Sequence, residues 1–120
     1  MAWTVQFDDE FEVEFDEFSE SVQIELLARA KILEQFGPML GRPTVDTLSG
    51  SRFNNMKELR FNADRGVWRV AFIFDTTRAA ILLVAGDKAG SDQRRFYERL
   101  IRIADERYVN HLSRISQNRR

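Results

Sequence analysis

The sequence predicts an α+β domain in which an N-terminal strand and a helical hairpin pack on a small, mostly antiparallel sheet, with a helix at the C-terminal end. Three observations carry this. Phe11, Phe15, Phe18, Val22, Leu26, Ala30 and Leu33 recur every three or four residues, which is the apolar stripe of a helix. Residues 57–61 and 68–75 alternate in polarity and 79–85 are continuously apolar, as strands are. Phe96, Leu100, Ile103, Ala104, Tyr108 and Leu112 then return to helical spacing.

Each element follows in chain order. Residues 3–7 (WTVQF) alternate and read as a short first strand. The helical stretch runs to Phe36-Gly37-Pro38, and Ser19-Glu20-Ser21 splits it in two, with Ser19 or Ser21 as N-cap of the second helix. Residues 37–55 hold both prolines and a Ser-Gly-Ser, and read as a long surface loop. From Met56 three strands form a meander through turns at 62–66 and 76–78, the last strand being central because it is apolar on both faces. Ser91 or Asp92 caps the final helix, whose remaining face carries Arg94, Arg95, Arg99, Arg102, Arg107 and Arg114. The helices are expected on one face of the sheet. The whole of 1–120 reads as one domain, with 116–120 as a frayed tail.

Composition narrows the function. The 120 residues contain no cysteine, which excludes disulfides, thiol nucleophiles and thiolate metal sites. The longest apolar run is too short to span a bilayer and the acidic start lacks the layout of a signal peptide, so a cytoplasmic protein without a membrane partner is expected. The net charge of −1 hides a split. Residues 1–36 hold ten acids and two bases, a sum of −8; residues 37–120 hold sixteen bases and nine acids, a sum of +7. Such asymmetry points to a polyanionic partner for the basic part. The acidic first helix is either a solvated face or a surface for basic segments of a protein partner.

Arg60 and Arg69 lie on neighbouring strands and Lys88 follows the third, so strands about 4.8 Å apart can bring these cations to one patch. Arginine presents a rigid fork of donors to phosphate oxygens. The same charges would also suit an outward, solvated strand face. A lone histidine, His111, cannot build a metal cluster, and no metal or other cofactor is expected. Gly86-Asp87-Lys88 lacks the spacing of a P-loop.

The motifs GPMLGRP, VDTLSGSR, NMKELRF, WRVAFIFD and ILLVAGDK, in that order and spacing, resemble the RelE/HigB superfamily of toxins from type II toxin-antitoxin modules. The continuation RRFYERLIRIADERYVNHL resembles the C-terminal helix of its phage-derived, longer branch. The resemblance implies a RelE-like fold and a ribosome-dependent, metal-independent endoribonuclease that cuts messenger RNA and inhibits translation. It assigns catalytic roles to Arg60, Arg69 and Lys88, and to Tyr97 as the nearest late tyrosine. Lys57, Tyr108 and His111 are further candidates for catalysis or RNA contact, and Arg94 and Arg95 for RNA binding. Its expected partners are a cognate helix-turn-helix antitoxin, messenger RNA and the ribosome, and operator DNA through the antitoxin complex alone. Two other readings stand beside it: a gyrase-targeting toxin of the same fold, and a catalytically inactive phage-derived binding module.

Overall fold

The computed structural model describes residues 2–118. Strand β1 (Thr4–Phe7) leads into helices α1 (Asp9–Asp16) and α2 (Glu20–Phe36), then a 3-10 turn at Gly37–Met39. Strands β2 (Val45–Thr47), β3 (Met56–Ala63), β4 (Gly66–Phe74) and β5 (Ala79–Asp87) follow, and helix α3 (Gln93–Asn118) ends the described chain. The five strands are ordered β1-β5-β4-β3-β2; β1 runs parallel to β5 and every other pair is antiparallel.

Local chemistry sets the boundaries. The Asp8 carboxylate caps α1, accepting from the backbone N–H groups of Glu10 and Phe11. Ser19 rather than Ser21 caps α2 by accepting from Val22 N at 3.3 Å. Gly37 ends α2 with φ +55°, and a side chain there would collide with the Trp3 indole. Asp64 and Arg65, both at positive φ between paired Ala63 and Gly66, make the two-residue turn of the β3–β4 hairpin. Asp92, not Ser91, caps α3 through Arg95 N at 3.2 Å.

Four expectations change. The stretch 37–55 is not all loop, because Val45–Thr47 adds a strand to the edge of β3; three residues are too few to display alternation. The middle of the sheet is β4, while β5 is interior between β1 and β4. The helices cover both faces rather than one. Phe11, Val22, Leu26 and Leu33 from α1 and α2 pack with Leu59, Val70, Phe72 and Leu82. Leu100, Ala104 and Tyr108 from α3 pack with Met56, Ala71, Ile73 and Ile81. Successive residues of β4 serve opposite cores, and a strand apolar on both sides must be covered on both sides. The tail reading changes as well: residues 116–118 remain in α3, and Arg119 and Arg120 lie outside the described residues.

One irregularity ties α3 to α1. Ala71 pairs with Val84 and Phe72 with Leu82, so Leu83 is the extra residue of a β-bulge. Its carbonyl accepts from Arg107 Nη1 at 2.8 Å, and the same guanidinium grips both Glu14 carboxylate oxygens at 2.8 and 2.6 Å. Two turns later Arg114 donates to the buried Asp8 carboxylate at 2.8 Å and pairs with Asp9 at 3.2 Å. Several acids of the N-terminal third are therefore neutralised within the fold.

Candidate active site

Strand parity builds the site. Glu58 and Arg60 alternate with Leu59 on β3, so both point to the α3 side while Leu59 enters the opposite core. Arg69 is the cross-strand partner of Arg60, and Gly86 of β5 is the partner of Arg69. Lys88 follows β5, its backbone N–H donating to Val67 O at 2.8 Å. Tyr97 comes from the second turn of α3. Three strands and one helix thus deliver Arg60, Arg69, Lys88 and Tyr97 to one place. A cleft of about 350 Å³ opens there, lined by Asp46, Glu58, Arg60, Lys88, Gln93 and Tyr97 among others.

Glu58 organises the group, and the sequence reading missed it. Its Oε1 accepts from the Tyr97 hydroxyl at 2.8 Å and lies 3.6 Å from Arg69 Nε. Both Glu58 and Arg69 are 6% exposed, so neither charge has much water to fall back on. Arg69 Nη1 also donates to Trp68 O at 2.9 Å. Arg60 Nε is buried without a hydrogen-bond acceptor among the described residues. The Lys88 ammonium sits 5.5 Å from the centre of the Tyr97 ring.

These surroundings move two protons. Burial pushes the Lys88 pKa below its usual value, and the Arg69 and Arg60 cations push it further down while Glu58 opposes them. Burial also raises the Tyr97 pKa, with the hydrogen bond to Glu58 adding to the effect. The site therefore makes the Lys88 ammonium easier to deprotonate and the Tyr97 phenol harder to deprotonate than the free side chains.

Other sequence candidates fall elsewhere. Lys57 projects from the opposite side of β3 and donates to Thr47 Oγ1 at 3.2 Å, as its parity with Glu58 demands. Tyr108 is a core residue, edge-on to Phe53 at 4.9 Å, and its raised pKa comes from burial first and Asp75 second. It lies about 16 Å along α3 from Tyr97, and His111 about 21 Å. His111 instead stacks on Tyr108 at 6.2 Å, with Nε2 buried. Arg94 and Arg95 are exposed on the first turn of α3; Arg94 pairs with Glu98 at 3.0 Å and lines a groove with Tyr97, while Arg95 lies beside Gly86 and Asp87. Among the described residues, no three His, Asp or Glu side chains are grouped to hold a metal ion.

The fold defines a class. It matches the solved structure of a mutant E. coli toxin RelE in the free state with a TM-score of 0.64, covering 89% of this chain and 98% of that one. Identity there is 14%, so the likeness concerns the fold. Residues 13–109 match the family of phage-derived Gp49-like proteins (DUF891), and the chain belongs to that family. Two relatives from Mycobacterium tuberculosis (strain ATCC 25618 / H37Rv) carry names of candidate toxins. HigB2 is 43% identical over 95 residues, which cover 78% of this chain and 47% of HigB2. HigB3 is 51% identical over 82 residues, which cover 68% of this chain and 69% of HigB3. The chain thus spans about half the length of HigB2 and two thirds of HigB3. Among the described residues no helix is long and apolar enough to cross a membrane.

Proposed function

We propose that this protein is the toxin of a type II toxin-antitoxin module, that it cleaves messenger RNA on the ribosome without a metal ion, and that a helix-turn-helix antitoxin silences it. The observation that carries the reading is the convergence of Arg60, Lys88 and Tyr97 on one cleft that Glu58 also lines, with Arg69 beside Glu58 just behind it. The toxin names of its relatives and the RelE-like fold support it.

Lys88, whose ammonium gives up its proton more readily than a free lysine's, acts once deprotonated as the base: it takes the proton of an RNA 2'-hydroxyl, whose oxygen attacks the adjacent phosphorus. Arg60 and Arg69 hold the nonbridging oxygens as charge builds on the phosphorane. The bond to the 5'-oxygen breaks and Tyr97 supplies its proton, leaving a 2',3'-cyclic phosphate and a 5'-hydroxyl. A phenol of raised pKa is still far more acidic than a departing alkoxide, so this transfer runs downhill. Glu58 touches no substrate atom in this scheme; it holds Arg69 and Tyr97 in place. The exposed Arg94 and Arg95 flank the cleft and suit the sugar-phosphate backbone on either side.

Inducible expression with mapping of RNA 5'-ends, with and without active translation, tests this. Wild-type protein is expected to create new 5'-hydroxyl ends in translated messages and to arrest growth. Arg60→Ala and Lys88→Ala should each lower cleavage by about 10²-fold or more, the usual loss when one transition-state contact is removed. Undiminished growth arrest by the double variant would overturn the site; DNA breaks in place of RNA cleavage would overturn the reaction.

A further inference from the structure

A second concavity adjoins the cleft. It encloses about 690 Å³ between α3 and the loop that follows β2, and its walls are mainly apolar. Ser49, Gln93 and Tyr97 line both this groove and the cleft, whereas Arg60 and Lys88 line the cleft alone. The groove therefore opens from the Tyr97 side of the cleft. One wall is a face of α3, where Gln93, Tyr97 and Ile101 follow one another at four-residue spacing and stand in line over two turns. The other wall is the backbone of Ser49-Gly50. Gly50 has φ +99°, which glycine adopts freely, and a Cβ added there would sit 3.5 Å from the Ile101 side chain.

Hydrogen bonds within the chain hold the groove open. Asp105, one turn beyond Ile101, accepts from Ser51 Oγ at 2.5 Å and from Arg52 N at 3.1 Å, which pins the loop to the helix. A slot fixed before its occupant arrives spares the occupant the cost of ordering it. The rim is cationic. Arg94 and Arg102 stand along it, paired with Glu98 at 3.0 Å and Glu106 at 4.0 Å on the same helix. Exposed i,i+4 pairs of this kind contribute little, so a phosphate can compete for either guanidinium.

An apolar slot with cations at its rim, continuous with a phosphate-holding cleft, suits an unstacked nucleobase, which has flat apolar faces, a polar edge and a phosphate on either side. The direction of the cleavage step selects which base. Tyr97 protonates the departing 5'-oxygen, and that oxygen belongs to the nucleotide 3' to the cut. This nucleotide therefore leaves the cleft on the side where the groove begins. We propose that the groove seats the nucleobase immediately 3' to the cut, its face against Ile101 and Gly50 and its edge against Gln93 and Ser49, so that these residues set the sequence preference of cleavage. The inference rests on the endonuclease reading above. The Gln93 amide and the Ser49 hydroxyl, both exposed at the mouth of the groove, each donate and accept, which is what discrimination between base edges requires.

The experiment measures kcat/KM of the full chain on ribosomes stalled with an empty decoding site, using a standard message and one made abasic at the nucleotide 3' to the mapped cut. Wild type is expected to cut the abasic message about tenfold or more slowly, as for loss of one stacked base. Ile101→Trp fills the groove; it should cut the standard message about tenfold more slowly and lose most of the abasic penalty, so that the two changes do not multiply. Gln93→Ala, at a fully exposed position whose loss disturbs no packing, should compress the ratio between the best and worst base at that nucleotide by at least about threefold. Melting temperatures verify that both variants are folded. No abasic penalty in wild type, an equal penalty in a folded Ile101→Trp, or an unchanged base ratio in Gln93→Ala would each overturn the subsite. So would light scattering showing a dimer of the chain that Ile101→Trp dissociates. Cleavage by wild type that ignores all these changes removes the subsite alone; no cleavage of any message by wild type removes the endonuclease reading and the subsite with it.

Discussion

Replacing Glu58 by Gln tests whether one buried carboxylate holds the site together. The amide oxygen can still accept from the Tyr97 hydroxyl, so that bond survives, but Arg69 loses its counter-charge while remaining 6% exposed. Removing one partner of a buried pair costs about 3–5 kcal/mol. Because Arg69 keeps the Trp68 carbonyl and the cleft admits water beside Glu58, the lower end applies, about 3 kcal/mol. For a domain of 120 residues this corresponds to a fall of about 12 °C in Tm, at roughly 4 °C per kcal/mol. Urea denaturation of Glu58→Gln, Arg69→Met and the double variant measures it. The double variant is expected to recover most of the loss, since two neutral side chains leave no charge stranded. Additive losses, or a Glu58→Gln cost under about 1 kcal/mol, would refute the argument. Activity gives an independent sign: Glu58 raises the Lys88 pKa, so its loss should move the alkaline-rising limb of the cleavage rate to lower pH.

Three further outcomes are expected. Arg107→Met strands the Leu83 bulge carbonyl and frees the half-exposed Glu14; chemical denaturation should show a loss of about 2 kcal/mol, most of it from the carbonyl. Lys88→Met should abolish cleavage and change the pH dependence of stability. With a folded pKa below 10.5, the protonated lysine favours the unfolded chain, so wild type gains stability as pH rises from its folded pKa towards 10.5; the Met variant should lack that gain in stability curves across this range. Tyr97 contributes in the opposite sense, its raised pKa adding stability that is lost as pH climbs through the folded value. His111→Gln should leave cleavage unchanged in the 5'-end assay, because His111 lies some 21 Å along α3 from Tyr97.

The long periodic elements were legible because period alone specifies them: the Phe11 to Leu33 stripe, the break at Ser19, the three later strands and α3. Val45-Asp46-Thr47 carries no period, and its strand exists by pairing with β3. Side-of-sheet was readable in part. The apolar character of both sides of β5 and β4 already demanded two covering layers, and the one-faced expectation overlooked that demand. In the site, Arg60, Arg69, Lys88 and Tyr97 were reachable from strand spacing and motif order. Parity also places Glu58, two residues before Arg60, on the same side of β3 and Lys57 on the other. What no local pattern revealed was register: pairing Arg60 with Arg69 is a tertiary fact, and it turns Glu58 from one more alternating charge into a buried counter-ion. The opposed charge sums suggested separate acidic and basic surfaces, yet Arg107 and Arg114 use part of one to bind the other.

The clasp between α3 and α1 also sets an order of events during synthesis. Asp8, whose side chain is fully buried, finds Arg114 only across 106 residues of chain, and β1 finds its neighbour β5 some 75 residues later. Contacts this distant in sequence form late and carry a large loop-closure cost. A ribosome that has made everything through β4 has therefore produced an open first strand and an uncompensated acidic helix, with Lys88 and Tyr97 still unmade. Assembly of the cleft and closure of the fold therefore become the same late step.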